Sequence, residues 1–139
     1  MARKQQSSAD ALERVPMLSG MNARARGRLA KTMKERTFPA GRDIVVEGHT
    51  GMGFFVITDG EAVISVGGDP IRTIGTGEFF GEMALIHGDT RTATVTAKTP
   101  LTCLTISPWA FKTFVQSHPN VAWAMLENLV QRVKEASAK

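Results

Sequence analysis

Glu82 and Arg91 stand nine positions apart in the stretch Gly77-Glu78-Phe79-Phe80-Gly81-Glu82-Met83-Ala84-Leu85-Ile86-His87-Gly88-Asp89-Thr90-Arg91-Thr92-Ala93-Thr94-Val95-Thr96-Ala97. Their side chains, with the backbone between them, have a definite chemical use. Gly81 to Ile86 leaves room for little more than one helical turn among strands, and most N–H groups of a single turn have no intrahelical partner. Such donors can bind an anion, and a glycine at the entrance lets a ligand approach the backbone. Glu82 is either a stabilising first-turn charge or an acceptor for a ligand hydroxyl. Arg91 supplies a charge and a planar fork of donors suited to phosphate. Together these parts describe a sugar-phosphate site; the plainer reading is a surface Glu–Arg ion pair.

Other chemistries find less support. His49, His87 and His118 are isolated from one another and from well-spaced carboxylates, unlike the ligands of a metal site. No serine has Gly-x-Ser-x-Gly surroundings, and Cys103, the only cysteine, lies in the alternating segment Leu101-Thr102-Cys103-Leu104-Thr105-Ile106, where a small buried side chain suits a strand. No residue offers itself as a water activator for phosphate hydrolysis. The expectation is therefore a protein that is not an enzyme and carries no metal or cofactor.

The elements that must position the site are short. From Ala9 to Lys34 the pattern is helical, with Leu12, Val15 and Leu18 near one face, a break at Pro16, Ser19 and Gly20, and Ser19 or Asn22 as the cap of a second helix. Ile44–Val46, Gly53–Thr58, Glu61–Val66, Ile71–Ile74, Thr92–Thr96 and Leu101–Ile106 are predicted strands. Asp59-Gly60 is expected to close a hairpin in a type I′ turn, and Gly67-Gly68-Asp69-Pro70 to make the next reversal. Short, numerous strands without helix-length connections argue for an antiparallel β-roll, a jelly-roll-like barrel, rather than a βαβ sheet. Ser107-Pro108 opens a helix over Trp109–Gln116, and His118-Pro119-Asn120 opens a longer one whose Ala122, Leu126, Leu129, Val133 and Ala136 form an apolar seam. That seam must cover the roll, a ligand or a second copy of the chain.

Phe80-Gly81-Glu82-Met83-Ala84-Leu85 followed by Arg91-Thr92-Ala93-Thr94-Val95 resembles the phosphate-binding cassette of the cyclic-nucleotide-binding domain family. Ile44-Val45, Glu47-Gly48, Gly51, Phe54-Phe55-Val56-Ile57 and Gly60 are also similar to that family's early strands and glycine turns. The resemblance implies a cyclic purine mononucleotide, cAMP or cGMP, as ligand. It implies that Gly81, Ala84 and Leu85 offer N–H groups to the cyclic phosphate, with Met83 in the same turn. Glu82 would bind the ribose 2′-hydroxyl, Arg91 would pair with the phosphate, and Thr92 and Ala93 would lie beside them. Val63 and Val95 are expected near the base, and Phe80 is counted among the ligand-binding residues. A residue of the last helix would serve as lid, and Trp123 is either that lid or a core anchor. Thr92 permits cGMP without establishing it. Many members have proline before the arginine; here Thr90 stands there, which leaves the loop less restricted and removes no ligand contact.

With 139 residues, 42% of them hydrophobic and 22% charged, the chain suits one globular domain with its own core. The expected division is a helical segment 1–36, a roll 37–106 containing the cassette 77–97, and C-terminal helices 107–139. The net charge of +4 is concentrated up to Arg36, where a solvated helix face accounts for it better than a nucleic-acid contact. A polar N-terminus and the lack of a long apolar run predict a cytoplasmic protein with no membrane span. The sensor would signal by movement of its C-terminal helices to an effector protein or a dimer partner. The alternatives are the ligand-binding part of a cAMP-receptor-type transcription regulator without its DNA-binding domain, or a degenerate protein-interaction module. Met1 and the polar tail to Lys139 favour a free-standing protein.

Overall fold

The computed structural model describes Leu12, Val15, Leu18 and residues 21–48, 53–81 and 93–137. Leu12, Val15, Leu18 and Met21 are all buried and linked by backbone bonds of 2.9–3.1 Å, each N–H donating to the carbonyl three residues earlier. Helix α1 (Ala23–Lys31) follows, capped by Asn22, whose side chain accepts the Ala25 N–H at 2.8 Å. Ala25 and Leu29, four residues apart, are its buried positions, and Arg28 and Lys31 face the negative end of its dipole.

Among the described residues eight strands form two four-stranded antiparallel sheets: β1 (Lys34–Phe38), β8 (Leu101–Ile106), β3 (Phe54–Asp59) and β6 (Phe79–Phe80) in that order, and β2 (Asp43–Val45), β7 (Thr94–Ala97), β4 (Ala62–Val66) and β5 (Asp69–Ile74) in the other. The expected antiparallel roll is present as two facing sheets rather than a closed barrel. Its interior holds Phe38, Val45, Phe55, Ile57, Ala62, Ile74, Phe80, Val95, Ala97, Leu101 and Cys103. On the outer face of the first sheet, Phe54, Val56, Phe79, Leu104 and Ile106 join a second core with α1, α2 (Pro108–Ser117) and α3 (Pro119–Ser137). β3 is therefore buried on both faces, and this is why it reads as the unbroken apolar run Phe54-Phe55-Val56-Ile57.

Several expectations need correction. The helical pattern placed up to Lys34 ends at Lys31, and Lys34–Phe38, whose first four residues are exposed, is an edge strand paired with β8. A charged edge strand lacks the apolar alternation that would reveal it. Asp59-Gly60 does not close a hairpin: β3 and β4 belong to different sheets, and no described residue other than glycine has positive φ. Gly60, at φ +100°, turns the corner between sheets, and a Cβ there would overlap the Pro100 carbonyl oxygen. The two-residue turn with both φ positive occurs instead at Gly67 and Gly68, joining β4 to β5.

Ser107 caps α2 and Pro108 begins it, as expected. In α3 the expected apolar seam is not the face that packs on the roll. Val121 and Met125 are the buried positions, whereas Leu126 and Val133 are exposed and Leu129 is only partly buried.

Candidate functional site

The strand leading into the candidate cassette is split between the two cores. In β6, Phe79 lies in the helix-facing core, with its ring 5.5 Å from that of Phe54. Phe80 points into the roll and stacks on Phe55, with centroids 4.8 Å apart and an interplanar angle of 6°. Alternation along a strand requires this division, and it ties one dipeptide to both layers. The ladder continues into the preceding turn, where Gly77 N–H donates to the Ile57 carbonyl and Ile57 N–H to the Glu78 carbonyl, both at 2.8 Å.

Gly81 leaves this strand at φ +87°, a conformation that an L side chain adopts only with strain. Glu82, Met83, Ala84, Leu85, Arg91 and Thr92 lie outside the described residues, as do His49 and His87. The chain returns at Ala93, partly buried, and enters β7, in the opposite sheet from β6. The described strands on either side of the cassette are thus the edge strand of one sheet and an inner strand of the other. Among the described residues the roll's interior buries no polar or charged side chain.

Val63 and Val95 do not share a face. Directly opposite residues lie on the same side of a sheet, and Val95 pairs with Ile64 while Val63 pairs with Thr96. Val95 and Ile64 face the interior, so the residue that shares Val95's face is Ile64 and not Val63. The alternation of β4 could have shown this, since Ala62 and Ile64 carry one apolar face.

Arg132 was missed. It donates to the Phe79 carbonyl at 2.5 Å, and its guanidinium lies 4.6 Å from the centre of the Phe79 ring. The signal was its spacing: Val121, Met125, Asn128 and Arg132 recur every four or three residues and form the roll-facing stripe of α3. Trp123, 65% exposed, is not a core anchor and stands off this stripe. His118 ends α2, its Nδ1 lying 3.1 Å from the Phe114 carbonyl. Cys103 is fully buried, and desolvation, opposed weakly by Arg36, pushes its thiol pKa up to about 12, far from that of a nucleophile. Among the described residues no group of His, Cys, Asp and Glu gathers as metal ligands.

The described residues define a helix-covered antiparallel roll of two facing sheets. Residues 35–118 match the cyclic nucleotide-binding domain family. The chain belongs to that family. It is 39% identical over 101 residues, 72% of its length, to a cAMP-dependent protein kinase regulatory subunit of Schizosaccharomyces pombe, covering 24% of that subunit. It is 32% identical over 118 residues, 85% of its length, to a cyclic nucleotide-gated potassium channel of Rhizobium etli, covering 33% of it. Among solved structures, a cAMP-bound PfPKA-R superposes with a TM-score of 0.86 and 28% identity, over 99% of this chain and 48% of that one. The chain spans a third or less of the length of these curated relatives.

Proposed function

We propose that this chain is a regulatory sensor domain that binds cAMP or cGMP and leaves the nucleotide chemically unchanged. The observation that carries the reading is where the described chain breaks off and resumes around the Gly81-Glu82…Arg91 motif: it leaves one sheet's edge strand at the positive-φ Gly81 and resumes at Ala93, which leads into β7 of the other sheet, whose Val95 faces the apolar interior. A cyclic nucleotide has an anionic phosphate, a hydroxylated ribose and a flat base. Backbone N–H groups at Gly81, Ala84 and Leu85 with Arg91 suit the first, and Glu82 suits the second. The apolar face of Ile64 and Val95 suits the third. The likeness to a cAMP-bound structure supports the ligand class.

Signalling follows from the attachment of the cassette to α3 through Phe79. A ligand shifts a conformational equilibrium only by the difference in its affinity for the two states, so phosphate capture must favour one placement of α3. That helix carries an outward stripe of Trp123, Leu126, Val130 and Val133, at 65%, 53%, 53% and 64% exposure, with the three-and-four spacing of a helix-pairing seam. An effector protein or a second copy of the chain would meet the domain there. The domain 1–139 is read as one unit, placed in the cytosol; no described helix is long and apolar enough to cross a membrane. The test is incubation with cAMP and with cGMP, followed by chromatography of the nucleotide. Stoichiometric binding with intact ligand is expected, and steady conversion to the linear nucleotide would refute the reading.

A further inference from the structure

The roll-facing stripe of α3 changes character along its length. Val121 and Met125 fill the helix-facing core, and the same stripe continues as Asn128, Arg132 and Glu135. Glu135 is ion-paired with Arg72 of β5, and Arg72 is also paired with Glu78 at 2.9 Å. Glu78 in turn accepts the Gly75 N–H at 3.0 Å, which fixes the turn between β5 and β6. One guanidinium therefore joins the end of the helix to the turn that delivers Phe79, Phe80 and Gly81. Arg132, one turn away, holds the Phe79 carbonyl from the other side.

Arg72 stands between two carboxylates. Its removal would lose two charge-assisted hydrogen bonds and leave Glu78 and Glu135 facing each other without a cation between them. The side chains of Arg72, Glu78 and Glu135 are 25%, 31% and 48% exposed, so water and salt screen the pairing only in part.

We propose that Arg72 is a positioning residue for the nucleotide site: it holds α3 against the turn ahead of the cassette before ligand arrives. This rests on the functional reading above. The direction of the effect is taken from the likeness to a cAMP-bound structure, which extends over 99% of the chain with a TM-score of 0.86. The arrangement held by Arg72 is the one that ligand favours, so loosening it weakens binding.

The experiment compares the parent chain with Arg72→Gln, Glu135→Gln and the double variant. Hydrogen exchange of residues 121–137 is measured without nucleotide, and cAMP affinity and dissociation rate are measured with it. Thermal melts confirm that each variant is folded, and Glu135→Gln, altering an exposed carboxylate, preserves the test should Arg72→Gln fail to fold. Arg72→Gln is expected to speed exchange in the second half of α3 and to raise the cAMP dissociation constant about three- to tenfold, mostly through faster release. The double variant should be no weaker than Arg72→Gln alone, and high salt should bring the parent toward the variant. Unchanged helix exchange and affinity in folded variants, beside normal cAMP binding by the parent, would overturn the positioning role alone. Failure of the parent to bind either nucleotide would overturn the functional reading and this role with it.

Discussion

Single residues set the chemistry of the chain by what surrounds them. Cys103 is a small apolar filler in the roll: it sits on β8 opposite Arg36 and shares the interior with Phe38 and Leu101. Burial raises its pKa from 9.0 to about 12, so the folded thiol keeps its proton where an unfolded one ionises. The unfolded state then binds fewer protons above about pH 9, and stability falls as pH rises from about 9 toward about 12, with full stability retained below that window. Thiol reagents at pH 8 should leave Cys103 untouched until the protein unfolds, and Cys103→Ala should flatten the alkaline loss seen in denaturation curves. Rapid labelling of the folded protein would contradict this burial. The segment Leu101 to Ile106 was enough to foresee it, because a small side chain set among apolar strand residues suits a buried position.

At the scale of elements, β6 is the hinge of the design and was the hardest to foresee. Two residues give no period, and Phe79-Phe80 reads as part of the cassette motif rather than as a strand. Its opposed side chains make it the only described strand of that length serving both cores. Truncating Phe79 removes the ring beneath Arg132 and opens a void beside Phe54 and Phe111, so Phe79→Ala is expected to cost about 3–5 kcal/mol. Chemical denaturation should show that loss, together with faster hydrogen exchange in α3. A destabilisation below about 1 kcal/mol would mean that the helix does not depend on this contact. The caps at Asn22 and Ser107 were legible because capping is local. The seam of α3 was not: two apolar stripes share that helix, and only tertiary packing decides which one faces the roll. Trp123, Leu126, Val130 and Val133 turn outward because Val121 and Met125 already occupy the surface beside Phe54, Phe79 and Phe111.

For the whole molecule, three strands shared by two cores link the interior of the roll to the helical layer. β3, β6 and β8 each send alternate side chains to opposite sides, and on the proposed function a ligand bound after Gly81 would pull on a strand that α3 also holds. The roll, its antiparallel pairing and the helical layer were legible from strand lengths and glycine spacing. The crossing of the chain between sheets at Gly60 was not, since Asp-Gly is locally a good hairpin turn and only the Pro100 backbone packed against it reveals the corner. The candidate phosphate motif was legible as an ordered run of residues, while Val63 was wrongly grouped with Val95 on one face, where Ile64 stands instead, because short strands fix their register only through their partners. Arg91 is the cation of that motif, and it would meet an anion already held by backbone donors. Losing one partner of a desolvated charge pair costs about 2–5 kcal/mol, or roughly 30-fold to several-thousand-fold in affinity. Calorimetric titration of cAMP into the parent chain and into Arg91→Ala, each shown by melting to be folded, tests this directly. The parent should bind one nucleotide per chain and the variant should bind at least about 30-fold more weakly; a folded Arg91→Ala that binds within about threefold of the parent would contradict the phosphate site and the function built on it.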